Sequence, residues 1–215
     1  MRPFVRHTGI AAPLLRRDVD TDAIIPSREI RGVSREGLGQ GLFAGWRYRE
    51  RDGVRLGEEP EFVLNRPPYR DASILLSGAN FGCGSSREQA VWALADFGIR
   101  AIVAPSFASI FRANCVRNGL LPLPLPEAQV RCIARHVEAA PARRPLHIDL
   151  REGRLGCVDG RTFSFELPDR ERTMLLEGLD PVDLTLRHGD ALQRYEQGDR
   201  VRRPWAHLAP EGDTR

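Results

Sequence analysis

The chain has 215 residues, 41% of them hydrophobic, and a formal net charge of +3 at neutral pH. This length supports one substantial core, or one core with an appendage, and this composition is typical of a soluble globular protein. The charge is too small, and the arginines are too scattered, for a nucleic-acid surface, and no apolar run approaches the roughly 18 residues of a membrane span. We therefore expect a cytoplasmic protein without nucleic-acid or membrane partners.

The first third of the sequence has few regular patterns. The apolar stretch 9–15 is interrupted by Pro13, unlike a cleavable signal. Asp20, Thr21 and Asp22 precede a short apolar stretch, and in this position such side chains most often cap a helix or turn the chain. Residues 32–65 are rich in glycine and predict no clear element.

The middle third alternates short apolar strands with helices. The patterns predict strands at residues 74–76, 100–103 and 120–123 and helices at residues 87–97 and 107–117. The inner face of the first helix is expected to consist of Ala90, Val91, Leu94 and Ala95. Strands that alternate with helices of this length indicate a parallel α/β layer, in which ligands bind at the carboxyl ends of the strands.

The last third begins with alternating polarity and ends with helical patterns. Residues 146–150, 156–158 and 162–165 are separated by Glu-Gly and Asp-Gly pairs and predict antiparallel hairpin strands. Residues 170–177 and 190–197 are expected to be helical.

Residues 82–88 read Gly-Cys-Gly-Ser-Ser-Arg-Glu and join the first predicted strand to the first predicted helix. Ser85 and Ser86 thus lie near a helix N-terminus, where unpaired N–H groups and the helix dipole favour an anion. One serine could simply cap the helix. Capping explains neither the second serine nor Arg87, a cation in the first turn, where the dipole disfavours it. Glu88 is expected to complete a helix cap or to pair with an arginine.

The four cysteines are widely spaced and include no Cys-x-x-Cys pair. Neither a zinc site nor an iron–sulfur cluster is therefore encoded locally. Cys83 lies in the glycine loop, where we expect it to serve as a small residue that fits a tight turn. The five histidines share no spacing, so each is expected to be structural or exposed.

Three sequence blocks, at residues 20–26, 80–88 and 104–111, resemble in order and spacing the small subunits of bacterial 3-isopropylmalate dehydratase, within the aconitase superfamily. The resemblance extends over nearly the whole chain. It implies an α/β fold, a compact three-layer β/β/α swivelling domain with a parallel α/β core and a C-terminal helical tail. Residues 1–215 would form this single domain, with 168–215 as the helical extension.

The resemblance also implies a chemistry, the reversible removal of water from a 2-hydroxy acid that carries at least two carboxylates. It assigns the catalytic base to Ser85 and the binding of a substrate carboxylate to Ser86 and Arg87, whose planar fork can hold a carboxylate with two parallel hydrogen bonds. It implies supporting positions around the serine loop for Asp22, Thr21, Gly84 and Cys83.

Removal of hydroxide requires a Lewis acid, which in the family is a 4Fe–4S cluster held by three cysteines. This chain lacks such a cysteine set, so we expect it to bind no cofactor or metal and to act with a large subunit that carries the cluster. The implied reaction interconverts 2-isopropylmalate and 3-isopropylmalate through isopropylmaleate, in leucine biosynthesis. The alternatives are a related hydratase of the methylmalate/citraconate or homoaconitate type, or a non-catalytic anion-binding module.

Residues 27–31 depart from the family, whose members carry an aromatic or bulky apolar pair in this position near the substrate side chain. Here the segment reads Ser-Arg-Glu-Ile-Arg. A charged Glu29 would line an isopropyl pocket poorly, which predicts a weaker preference for isopropylmalate over smaller malates. In the alternative, Arg28 and Glu29 point to solvent and Ile30 alone faces the substrate.

Overall fold

The computed structural model describes residues 1–30, 34–85 and 87–207. The strands of this part are β1 Arg6–Gly9, β2 Ala11–Leu14, β3 Tyr48–Arg51, β4 Val54–Glu58, β5 Ile74–Ser77, β6 Ala101–Ala104, β7 Leu121–Pro124, β8 Leu146–Asp149, β9 Arg154–Cys157 and β10 Thr162–Ser164. The α-helices are α1 Thr21–Ile24, α2 Ala44–Arg47, α3 Glu88–Phe97, α4 Ser109–Arg117, α5 Glu127–Glu138, α6 Asp169–Glu177, α7 Pro181–Leu186 and α8 Gly189–Arg202.

Two four-stranded sheets organise the fold. One is parallel, in the order β2-β5-β6-β7, and the other is antiparallel, in the order β1-β8-β9-β10. Every residue of β5 and β6 is buried, as expected for central parallel strands that are covered on both faces. The predicted parallel α/β core and the antiparallel hairpin strands are confirmed. Among the described residues, no helix combines the length and the apolar character needed to cross a bilayer.

Helix α3 begins at Glu88, one residue later than predicted, and ends at Gly98, whose φ is 111°. Its buried face consists of Ala90, Val91, Ala93 and Leu94. The expectation that Ala95 lies inside is wrong, because Ala95 is exposed. At about 100° per residue, Ala93 lies roughly 60° from Ala90 around the helix axis, whereas Ala95 lies roughly 140° away from it.

Helix α5 was not predicted, although its sequence carries the signal. Val130, Ile133, Ala134 and Val137 follow the i, i+3, i+4, i+7 spacing of an amphipathic helix, and all four are buried. The helix packs against β2, β5 and β6 and so covers the parallel sheet. The proline-rich stretch before it reads as a joint, which concealed the helix start.

Between residues 168 and 207, the C-terminal part contains three α-helices, α6 to α8. Helix α6 is tied to the start of the chain, because the Phe4 N–H donates to the Leu175 carbonyl at 2.8 Å and both residues are buried. Most of α8 is exposed. Helix α7, capped by the Asp180 carboxylate, was not predicted.

Candidate active site

The glycine–serine loop follows β5 at the carboxyl end of the parallel sheet and leads into α3. It lies against the segment that precedes α1, since the Gly82 N–H donates to the Val19 carbonyl at 2.7 Å and the Thr21 N–H donates to the Cys83 carbonyl at 2.9 Å. Two sequence blocks that are far apart in the chain therefore form one wall. The loop occupies the position where ligands of parallel α/β layers bind.

Two glycines make this close packing possible. Gly82 has a φ of 77°, and a Cβ on it would lie 2.1 Å from Cγ of Phe111 in α4. Gly84 has a φ of 85°, and a Cβ on it would lie 3.3 Å from Cβ of Asp20. Any side chain at Gly82 would therefore both strain the backbone and displace a buried ring.

Ser85 is exposed, and its hydroxyl has no hydrogen-bond partner among the described residues. The N-cap position of α3 belongs to Arg87, which makes no side-chain capping bond. The capping alternative is therefore wrong for Ser85, whose hydroxyl is free to meet a ligand. Ser86 lies outside the described residues.

Among the described residues, the guanidinium of Arg87 makes polar contacts through one of its three nitrogens. Its Nη1 forms an ion pair with Asp22 Oδ1 at 2.6 Å and donates a hydrogen bond to Ser27 Oγ at 2.7 Å. Its Nε and Nη2 have no partner among the described residues, and together they form one edge of the guanidinium fork. Because this edge can make two parallel hydrogen bonds, a carboxylate can bind there side-on.

The structure brings Asp22, Thr21, Gly84 and Cys83 together around the loop. Asp20 accepts from the Ala23 N–H at 2.6 Å and so caps α1, which is the ordinary role expected for this position. Thr21 is fully buried, and its Oγ1 has no partner within the described ranges. Burial, followed by the nearby Asp20 and Asp18 carboxylates, raises the pKa of Cys83. A neutral thiol of this kind fills space rather than acting as a nucleophile.

The segment after α1 contributes contacts that the sequence did not indicate. Ser27 begins the 3-10 turn Ser27–Glu29 and contacts Arg87 directly. Glu29 pairs with Arg55, with Oε2 at 2.6 Å from Nη2, and its side chain is only 17% exposed. The expectation that Glu29 points to solvent is therefore wrong, whereas Ile30 packs partly buried against the core, and Arg31 lies outside the described residues.

A polar cleft of about 450 Å³ adjoins this turn. Charged side chains dominate its lining, among them Arg28, Glu29, Glu50 and Arg55. Salt bridges link these four side chains to one another. The wall of this cleft at the Ser27–Glu29 turn is thus charged rather than apolar.

Glu88 departs from its expected role. Its Oε1 accepts from Asn118 Nδ2 at 2.9 Å, so it connects the start of α3 to the end of α4 instead of capping a helix or pairing with an arginine.

The cysteines of this chain do not fit an iron–sulfur cluster. Cys115 is fully buried in α4, where burial raises its pKa well above the ordinary value. Among the described residues, the one group of side chains with metal-compatible spacing, His136 with Cys157 and Asp159, contains a single cysteine. A cluster needs at least three converging thiolates, which this arrangement does not supply.

Two family models match the chain. The aconitase C-terminal domain matches residues 1–128, which include the glycine–serine loop. The C-terminal domain of the 3-isopropylmalate dehydratase small subunit matches residues 182–208, in the region of α7 and α8.

Relatives match the chain over nearly its full length. The 3-isopropylmalate dehydratase small subunit of Cupriavidus necator is 57% identical over 208 residues, which are 97% of this chain and 99% of that protein. The corresponding subunit of Methylibium petroleiphilum is 47% identical over 210 residues, 95% of this chain and 97% of the relative. The crystal structure of 3-isopropylmalate dehydratase from Methanocaldococcus jannaschii superposes with a TM-score of 0.60 at 28% identity and covers 89% of this chain and 99% of that one.

Proposed function

The chain belongs to the family of 3-isopropylmalate dehydratase small subunits, and from this premise we propose that it is the small subunit of a hydro-lyase in leucine biosynthesis. The enzyme interconverts 2-isopropylmalate and 3-isopropylmalate through isopropylmaleate, in the cytoplasm. The observation that carries this proposal is the open hydroxyl of Ser85 two residues from Arg87, a guanidinium with one free edge.

Ser85 is the catalytic base in this proposal. The difficult step takes a proton from a carbon next to a carboxylate, so negative charge grows on a group that is already anionic. A serine hydroxyl is a weak acid in water, but the N–H groups at the start of α3 and the charge of Arg87 favour its ionised form. The exposed position of Ser85 leaves its oxygen free to reach the substrate carbon.

Arg87 anchors a substrate carboxylate through Nε and Nη2. Asp22 and Ser27 occupy Nη1 and so fix the plane of the guanidinium before a ligand arrives. A fixed plane reduces the entropy that binding must cost. Ser86 contributes its hydroxyl or its N–H to the same carboxylate.

The remaining half of the site comes from a large partner subunit. Ser85 is exposed, and a site that excludes water needs a second surface over it. We expect that subunit to carry the 4Fe–4S cluster and to supply the Lewis acid, since the cysteines of this chain do not fit one. The assembly is a heterodimer or a multiple of it.

Co-purification with the large iron–sulfur subunit tests the proposal. The pair should form isopropylmaleate from 3-isopropylmalate, followed by the ultraviolet absorbance of the conjugated alkene, whereas the lone chain should be inactive and colourless. Arg87→Lys in the pair should raise KM, because an ammonium cannot reproduce the two parallel hydrogen bonds. An inactive pair with full cluster content that still binds malates would instead favour a non-catalytic anion-binding role.

The charged wall at Glu29 bears on the substrate side chain. We expect a weaker preference for isopropylmalate over methylmalate than an apolar wall would give, since such a contact is worth about 1–3 kcal/mol of discrimination. Glu29→Leu should raise the ratio of kcat/KM for 3-isopropylmalate to kcat/KM for methylmalate. Glu58→Gln, which breaks an ion pair with Arg70, should leave this ratio unchanged. An unchanged ratio in Glu29→Leu would place this segment outside the substrate pocket.

A further inference from the structure

A second group of reactive side chains lies where α5 meets the β9–β10 turn. Cys132 and His136 are four residues apart on α5, so their side chains share one face of the helix. Cys157 ends β9, and Asp159 lies in the following turn. The proposed catalytic chemistry uses none of these four residues.

Three of these side chains converge. The potential ligand atoms of His136, Cys157 and Asp159 all lie within 4.8 Å of one another. His136 Nδ1 lies 3.1 Å from Asp159 Oδ2. In a tetrahedral zinc site the ligand atoms lie about 3.3–3.8 Å apart, given metal–ligand distances near 2.0–2.3 Å. Small side-chain rotations would therefore bring the three atoms to that spacing.

A positive group already contacts three of the four side chains. Arg161 donates from Nη1 to Cys132 Sγ at 2.9 Å, its Nη2 lies 3.0 Å from His136 Nδ1, and its Nε donates to Asp159 Oδ2 at 2.8 Å. Lone pairs from a thiol, an imidazole and a carboxylate thus point at one cation. This donor set suits a borderline-soft divalent metal better than a guanidinium.

His136 is the most buried member of this group. Its side chain is 1% exposed, and its Nε2 has no hydrogen-bond partner among the described residues. Its other ring nitrogen, Nδ1, faces Arg161 and Asp159. Because a guanidinium can only donate, Nδ1 meets Arg161 with its lone pair.

We propose that Cys157, His136 and Asp159, with Cys132 as the fourth ligand, form a zinc site in which Zn²⁺ replaces the Arg161 guanidinium. Arg161 is half-exposed and can swing into solvent. Each thiol that becomes a thiolate on binding releases its proton to water. The metal ties α5, which covers the parallel sheet, to the antiparallel sheet.

Metal titration of the full chain under a thiol-free reductant tests the site. Co²⁺ should bind with one equivalent and give the intense visible bands of a tetrahedral complex and a near-ultraviolet thiolate band. Zn²⁺ should displace it. Removal of a ligand should weaken Zn²⁺ binding by at least about 100-fold in Cys157→Ser and in the more exposed Asp159→Asn, since loss of an outer-shell partner alone costs about 10–100-fold.

The variant Arg161→Ala distinguishes a specific zinc site from adventitious metal binding at the protein surface. Removal of the competing cation should tighten Zn²⁺ binding, whereas Cys83→Ser, which removes a thiol in the active-site loop, should leave it unchanged. Zinc should also raise the melting temperature of the wild type but not that of Asp159→Asn. Octahedral Co²⁺ without a thiolate band, or binding unaffected by Cys157→Ser and Asp159→Asn, would overturn the proposal and identify the metal as adventitious.

Discussion

The contacts of Asp22 and Ser27 with Arg87 give the sharpest prediction that the structure adds to the sequence. Asp22→Asn keeps the shape of the side chain but removes the charge that lies 2.6 Å from Nη1. The two side chains are 27% and 54% exposed, so solvent screens the pair, and its contribution falls in the range of about 0.2–1 kcal/mol measured for exposed ion pairs. Because Arg87 is the proposed anchor of a substrate carboxylate, this loss should appear as a roughly 1.4–5-fold increase in KM.

Ser27→Ala should add to that effect. The hydroxyl accepts from the same Nη1 at 2.7 Å, and a hydrogen bond of this kind contributes about 0.5–1.5 kcal/mol. The double variant should therefore raise KM by about 10-fold, with kcat close to that of the wild type, since the proposed base, Ser85, is untouched.

Steady-state kinetics of the co-purified pair at fixed ionic strength measure these effects. Glu127→Gln is the matched control, because it breaks an exposed ion pair with Arg131 at 2.8 Å on α5 and should leave KM unchanged. A fall in kcat at constant KM in Asp22→Asn would place this carboxylate in the chemical step. An unaltered KM in the double variant would refute the anchoring role of Arg87.

Two further predictions concern stability. Gly82→Ala should lower the free energy of unfolding by about 2–5 kcal/mol, the sum of left-handed backbone strain and overpacking against Phe111. Gly53→Ala, at a φ of 78° with open space around it, should cost only the strain of about 1–2 kcal/mol. Denaturant-induced unfolding compares the two variants, and equal losses of stability would contradict the packing argument. The hydrogen bond from the Glu152 N–H lowers the pKa of Asp149 below 3.8. The ionised Asp149 carboxylate therefore stabilises the folded state above about pH 3.8, and this stabilisation is lost as the pH falls through the folded-state pKa. Asp149→Asn should flatten the acid limb of the stability profile, and an unchanged limb would exclude this carboxylate as its source.

The parallel core was predictable because its signals are local. Strands β5, β6 and β7 are short apolar runs separated by helices that end in glycine or Asn-Gly, and each signal is complete within about a dozen residues. The glycine–serine loop was predictable for the same reason, since its position after β5 fixes its place at the edge of the sheet. Helix α5 was not predicted because the proline-rich stretch before it obscures the residue at which the helix begins.

Contacts between distant segments were not predictable in the same way. The bond between Ser27 and Arg87 joins residues 60 positions apart, and no periodicity in the sequence reports it. The orientation of Glu29 likewise depends on its pairing with Arg55 in β4, in a region without a readable pattern. The group around His136 forms only because the end of β9 and the turn after it lie next to α5. A spacing rule applied along the chain does not detect such a group.

The central claim is that Ser85 is the base of a two-subunit hydro-lyase. The most direct measurement is kcat and KM of the co-purified pair with Ser85→Ala and, in parallel, with Ser86→Ala. Ser85→Ala should lower kcat about 1,000-fold or more with little change in KM, because the oxygen acts mainly in the transition state, and Ser86→Ala should retain far more turnover. Near wild-type turnover in Ser85→Ala, or loss of turnover in Ser86→Ala alone, would contradict the account.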